Sequence, residues 1–199
     1  MKIFVNGEET IIDVSGKCTL SDILAQIETT LPQGSLATEI KLNDKVLDGN
    51  WTQNVDNIYI LEEDLVSIKI EDSADLAREA LYGSKIQFQS LLEHFEEIAD
   101  AFRMQEDNEA NTKFIYGIEN MQLLLKVLEE ASFLIGRPIE NLKDGDISFQ
   151  QYLDDLGEKL DKIITIQSQK DWVMLADLIE YEMLPALKNV GVIYRILEI

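Results

Sequence analysis

One cysteine, one histidine and three prolines in 199 residues leave most familiar site chemistries without their ligands. Cys18 has no partner in the chain, so no intramolecular disulfide forms, and a lone thiol fits a reducing compartment. With His94 as the only histidine, a conventional zinc site within one chain is excluded. A di-metal carboxylate bundle needs Glu-x-x-His motifs, and the residue three before His94 is Leu91. No apolar run approaches the ~18 residues of a membrane span, and the start of the chain carries no charged-then-apolar signal segment. A cytoplasmic, bacterial-type protein is the expectation. Positive charge is also scarce, with 17 basic residues against 38 acidic ones and a net charge of -21. Such a surface repels phosphate backbones and anionic bilayers, so neither nucleic acid nor membrane is expected as a partner. Basic partners and multivalent cations remain open. Glycine-rich phosphate loops and nucleophile elbows are missing as well.

What is present divides near Ser73. Before it, apolar residues mostly alternate; after it, they recur every three or four positions. Both parts are acidic, with 14 acidic and 5 basic residues in 1–72 and 24 and 12 in 73–199. The first part reads strand, strand, helix, strand, strand. KIFVNG and TIIDV make a hairpin turning at Asn6-Gly7, with Ile3, Val5, Ile12 and Val14 on one face. Thr19 to Asp22 has capping-box spacing and opens the helix DILAQIETTL. Leu20, Ile23, Leu24 and Ile27 give that helix an apolar stripe, and Pro32 and Gly34 mark its end. ATEIKLNDKVLDG is a strand turning at Asn43-Asp44. LVSIKIED is a last strand, with Val66, Ile68 and Ile70 on one face.

KIFVNGEE, TLSDILAQI, IKLNDKVLDGNW and VSIKI together resemble the ubiquitin-like superfamily, and within it the ThiS/MoaD-type bacterial sulfur carriers. The resemblance covers about the first third of the chain. It implies a β-grasp fold. It would also imply carrier chemistry at a free C-terminal diglycine, but here the last strand runs into Ile70-Glu71-Asp72-Ser73-Ala74-Asp75 and on into a helix. The family's reacting group is therefore not carried over to any residue. What the resemblance leaves is a sheet face, on which ubiquitin-like domains often bind partners through an apolar patch. If Ile3 and Val5 face inward, Phe4 and Ile11 face outward, beside Glu39, Lys41, Ser67 and Lys69. The alternative is that the chain's own helices cover Phe4 and Ile11, or that they are scattered surface residues.

Four seams of alternating three- and four-residue steps follow. They run Leu81 to Phe102, Phe114 to Ile135, Phe149 to Ile163 and Ala176 to Leu197. Breaks at Gln105–Asn111, Gly136-Arg137-Pro138 and Ser168–Asp171 predict four helices in an antiparallel bundle. Ser148 with Gln151, and Ser168 with Asp171, have capping-box spacing at the third and fourth helices. Asp155–Lys159 and Glu158–Lys162 are exposed i,i+4 pairs. From Trp172 to Ile199, 19 of 28 residues are apolar or aromatic, more than one seam requires. Contact with the first module is the first expectation for this excess, a homodimer through this helix the second and a foreign partner the third. Pro185 is expected to kink the helix.

ENLKDGDISFQQ approximates a calcium loop, but Leu142 stands at a ligand position and Gln151 replaces the bidentate glutamate, so a loop feeding a capped helix is the better reading. Glu93, Glu96, Glu97 and Asp100 read as a solvated face. The expected architecture is α+β: a β-grasp domain over 1–72, then a four-helix bundle over 73–199. The expected role is a non-enzymatic protein–protein interaction module, an adaptor, regulator or chaperone-like binder, with no cofactor or metal. Phe4, Ile11, Trp172, Tyr181 and Tyr194 are the candidate contacts. A structural subunit of a larger assembly, or an enzyme accessory subunit with a site between the domains, is the alternative.

Overall fold

The computed structural model describes residues 1–12, 18–47, 51–104 and 107–199. The expected places of Val14 in the first hairpin, Asp48-Gly49 after the third strand and Gln105 at the first helical break lie outside the described residues. The chain forms two compact units, Met1–Leu76 and Ala77–Ile199.

The first unit contains β1 (Lys2–Val5), β2 (Glu8–Thr10), β3 (Cys18–Thr19), α1 (Leu20–Glu28), β4 (Ser35–Leu42), β5 (Lys45–Val46), α2 (Trp51–Asn54), β6 (Tyr59–Ile60) and β7 (Leu65–Asp72). Five strands form a mixed sheet in the order β2-β1-β7-β4-β5, and β3 pairs with β6 in a separate ladder that the alternation did not reveal. The central pair, β1 and β7, is parallel, with Ile3 opposite Val66 and Val5 opposite Ile68. Both hairpins turn on two residues with positive φ, Asn6-Gly7 at 50° and 83° and Asn43-Asp44 at 51° and 64°. That geometry matches the right-handed strand twist and pins the register. It places the second strand at Glu8–Thr10, earlier than the expected TIIDV, with Val5 opposite Glu8 and Ile3 opposite Thr10.

Alternation then puts Ile3, Ile40, Val66 and Ile68 on one face, buried with Leu20, Ile23 and Ile27 of α1. Each such side chain contributes about 1.5–3 kcal/mol of burial. The capping box of α1 forms as its spacing predicts, with Thr19 N–H donating to Asp22 at 2.8 Å and Asp22 N–H to Thr19 Oγ1 at 3.3 Å. The Thr19 N–H and then its hydroxyl hold the Asp22 carboxyl below the usual range. Asn6 extends the β1 ladder with its side chain, accepting from Ile70 N–H at 2.8 Å and donating to Ile70 O at 3.1 Å. At its end, β7 passes straight into a helix whose first turn Asp72 caps, accepting from Ala74 N–H at 2.8 Å.

The helical unit takes up α3 (Ser73–Arg103) beyond its first turn. It continues with α4 (Asp107–Leu134), a 3₁₀ turn (Ile139–Asn141), β8 (Lys143–Asp144), β9 (Ile147–Ser148), α5 (Phe149–Gln169), α6 (Trp172–Leu178), a π-helical turn (Ile179–Met183), α7 (Leu184–Val190) and α8 (Val192–Ile196). Every α3 seam residue from Leu81 to Phe102, and every seam residue of the last run from Ala176 to Leu197, is buried. The stretch read as a loop feeding a capped helix holds the β8–β9 hairpin, and the Ser148–Gln151 capping box opens α5 behind it.

Three local expectations change. The N-cap of α6 is Asp171, accepting from Met174 N–H at 3.0 Å, because Lys170 ends α5 in the left-handed conformation and Ser168 still bonds back to Thr165 O. Lys162 pairs with Glu182 at 2.7 Å rather than with Glu158, since a neighbouring element supplies an acid within reach. The Pro185 irregularity takes the form of the π turn just before it. Proline cannot donate, and the turn widens so that Leu184 N–H bonds Ile179 O, five residues back.

Much of the apolar excess of the last run is buried by its own unit. Leu175, Leu178, Leu184 and Leu187 join the seam in one cluster with residues of α3, α4 and α5. For these residues the neighbours are those of their own unit, not the first module, while Val173, Met174 and Tyr181 of the same run stay exposed. The run is flanked on several sides, so it buries residues well outside one seam.

Candidate functional site

On the sheet, antiparallel pairing puts Phe4 opposite Glu9, and parallel pairing puts it beside Ser67, on the face away from α1. Lys41 and Lys69 share that face, ion-paired with Glu39 at 3.0 Å and Glu71 at 3.1 Å. Phe4 is half-buried and Ile11 is 97% exposed. The face is therefore salt-bridged around Phe4, and Ile11 follows directly after β2.

The three aromatic candidates of the last run separate. Tyr194 is 5% exposed, so its place as a surface contact is corrected. Its hydroxyl lies 3.2 Å from Ser84 Oγ and its ring packs edge-on against Phe88 at 5.7 Å. Burial pushes the Tyr194 phenol up, and the Ser84 bond partly offsets this. Trp172 is half-buried and stacks on Phe102 at 5.6 Å, which makes it a wall of the core. Tyr181 is 66% exposed in the π turn, with the Arg103 guanidinium 5.8 Å from its ring centre. Arg103 also donates to Asp177 at 2.8 Å and pairs with Glu180. These two contacts, Asp177 first, hold the guanidinium well above its ordinary value. This cluster ties α3 to the widened turn. Its carboxylates are occupied, and among the described residues no group of three or more His, Cys, Asp or Glu side chains is arranged to hold a metal ion.

A cavity of about 480 Å³ gathers Lys85, Lys188 and Arg195. Each cation already has a partner: Ile199 O at 2.5 Å, Glu96 at 3.4 Å and Asp144 at 2.7 Å respectively. It offers an anion little free charge.

A further apolar exposure of the helical unit lies elsewhere. Between α3 and α4 runs a groove of about 450 Å³. Its walls are Ile86 (65% exposed), Tyr116 (59%) and Leu123 (62%), and Leu91 and Leu124 are buried beneath. Gln87, Ser90 and Asn120 supply polar groups along it. His94 Nε2 lies 3.1 Å from Lys113 O; a carbonyl only accepts, so Nε2 carries the proton. The His94 ring meets Tyr116 edge-on at 5.8 Å. Below this groove, Gly117 lets the helices close, since a Cβ there would lie 3.1 Å from the Phe95 ring. Nothing in the reading of seams pointed to this surface. The signal was available in the off-seam apolar residues of α4, Ile115, Tyr116, Leu123, Phe133 and Leu134, all of which are exposed.

Residues 85–191 match the family described as a domain of unknown function, DUF8042. The chain belongs to the DUF8042 family. No curated protein and no solved structure matches it. The DUF8042 stretch contains every groove residue, the Arg103 cluster and the π turn, and leaves the mixed sheet outside it. Among the described residues no helix is long and apolar enough to cross a membrane.

Proposed function

We propose that this DUF8042 protein is a non-enzymatic protein-binding module, in which a β-grasp domain is joined to an antiparallel four-helix bundle. The observation that carries the reading is the α3/α4 groove. Three large apolar side chains stand more than half exposed around it, where a packed monomer buries such groups or scatters them singly. Gln, Ser and Asn side chains along the same groove suit a partner's polar groups at a rim.

Two features support the architecture. A parallel β1–β7 pair at the sheet centre, with one helix across one face, fits a β-grasp. Phe95 and Phe114 between α3 and α4, Trp172 on Phe102 and Gln167 bonded to Asn111 fit helices packed side by side around one core. Asp72, which caps α3 where a sulfur carrier would end in diglycine, supports a reading without carrier chemistry. The sheet face bearing Phe4, with Ile11 directly after β2, is a second, smaller surface of the same module.

The test is quantitative capture from a lysate of the source cells with wild-type chain, Ile86→Glu/Leu123→Glu and Phe4→Glu/Ile11→Glu. Proteins lost with a variant are then purified and titrated against the wild type. Saturable binding that the α3/α4 variant abolishes supports the reading. If no captured protein binds in purified form, the reading is wrong.

A further inference from the structure

The groove and its borders together say what kind of chain fits it. We infer that the α3/α4 groove receives a basic amphipathic helix from another protein, an inference that rests on the protein-binding reading and adds the partner's chemistry. Ile86 and Ser90 lie on one helical stripe with Glu79, Glu93 and Glu97, at steps of seven, four, three and four residues. On α4, Glu119 falls three residues after Tyr116 and four before Leu123, and Glu109 and Glu130 extend the same side toward the two ends. All six carboxylates are exposed. The two cations on this side are already engaged, Lys113 with Glu109 at 2.8 Å and Lys126 with Glu130 at 3.6 Å. The result is an apolar trough with a negative border.

Its length suits a helix. From Ile86 to His94 the α3 wall covers about 12 Å of axis, so about two turns of a partner seat there with anchors at i, i+4 and i+7. Lysine and arginine beside those anchors extend apolar stems along Tyr116 and Leu123 and place their charges at the glutamates. A second copy of this chain is the wrong occupant. A two-fold interface through the groove would set Glu79, Glu93, Glu97 and Glu119, which Lys113 and Lys126 do not engage, against their own copies, on chains that each carry -21.

The test pans a display library of helical peptides, with an apolar stripe and randomised flanks, on the full chain and on Ile86→Glu/Leu123→Glu. Both substitutions sit at exposed helix positions, and circular dichroism verifies that the variant folds as the wild type does. The expected result is that peptides retained only by the wild type carry Lys and Arg beside the stripe, and that their affinity falls about tenfold between low and high salt. Groove-dependent peptides with neutral or acidic flanks overturn the basic-partner inference while leaving the protein-binding reading standing. Retention of no groove-dependent peptide also overturns it, and the wider reading is then judged by the purified partners of the lysate experiment. A wild-type dimer in light scattering that the double variant dissociates assigns the groove to a second copy and likewise overturns it.

Discussion

The run from Trp172 to Ile196 and helix α4 are both rich in apolar residues, yet beyond Tyr181 the run buries or half-buries every one, while α4 leaves several exposed along its length. In the last run, Leu175, Ile179, Met183, Leu187 and Ile193 are fully buried, and the polar exceptions Asp177, Glu180 and Glu182 are taken up by Arg103 and Lys162. Helix α4 buries Phe114, Met121 and Leu128 on its seam but leaves Tyr116, Leu123 and Phe133 outside. The count of apolar residues does not separate these cases. The number of neighbours around each helix does: the last run meets α3 through Phe88 and Phe102 and α5 through Lys162, whereas one side of α4 faces solvent.

The comparison breaks most easily at Leu187. Leu187→Ala is expected to cost about 2–5 kcal/mol, because it empties a site enclosed on all sides. Denaturant unfolding measures it, and a loss below about 1 kcal/mol, the size of a surface effect, would mean the run is not enclosed. Next comes Arg103→Met, which removes the ion pairs to Asp177 and Glu180 and the contact with Tyr181. Partial exposure reduces these to about 1–2 kcal/mol together, and a wild-type stability that falls with added salt, set against a variant that does not respond, checks the electrostatic share.

Tyr194→Phe deletes one buried hydrogen bond for about 1 kcal/mol. The same residue sets an alkaline limit. The folded phenol ionises above its unfolded counterpart, so the unfolded chain releases its proton first and stability falls as pH rises past about 10. Unfolding midpoints measured from neutral to alkaline pH should fall less steeply in Tyr194→Phe. The smallest effect belongs to α4. Leu123→Ala should change stability by no more than about 0.5 kcal/mol, and thermal melts that show a larger loss would place Leu123 inside a core and remove the contrast with Leu187.

Much of this was legible in advance, residue by residue. The Asn6-Gly7 and Asn43-Asp44 turns, the Thr19 and Ser148 caps and the α3 seam all follow from φ preferences, side-chain reach and helical period, which act within a few residues. Ser168 misled because its spacing mimics a capping box while Lys170, two residues later, takes the left-handed conformation that ends α5. Tyr194 misled because aromatic residues with a polar tip serve interiors and surfaces equally well. Its partner Ser84 lies 110 positions away. The groove went unseen because its two walls belong to different helices, and neither stripe is unusual alone.

By itself, then, the sequence determined the alternating first third, the helical remainder, the cap and turn positions and the excess of negative charge. These depend on local geometry and on composition, which any arrangement of the helices preserves. Only the tertiary structure decided which apolar residues face water, how Pro185 is absorbed by a π turn held at Arg103, and that Ile86 and Leu123 border one trough. Those outcomes depend on which helices become neighbours, a property of packing that no single stripe of residues encodes.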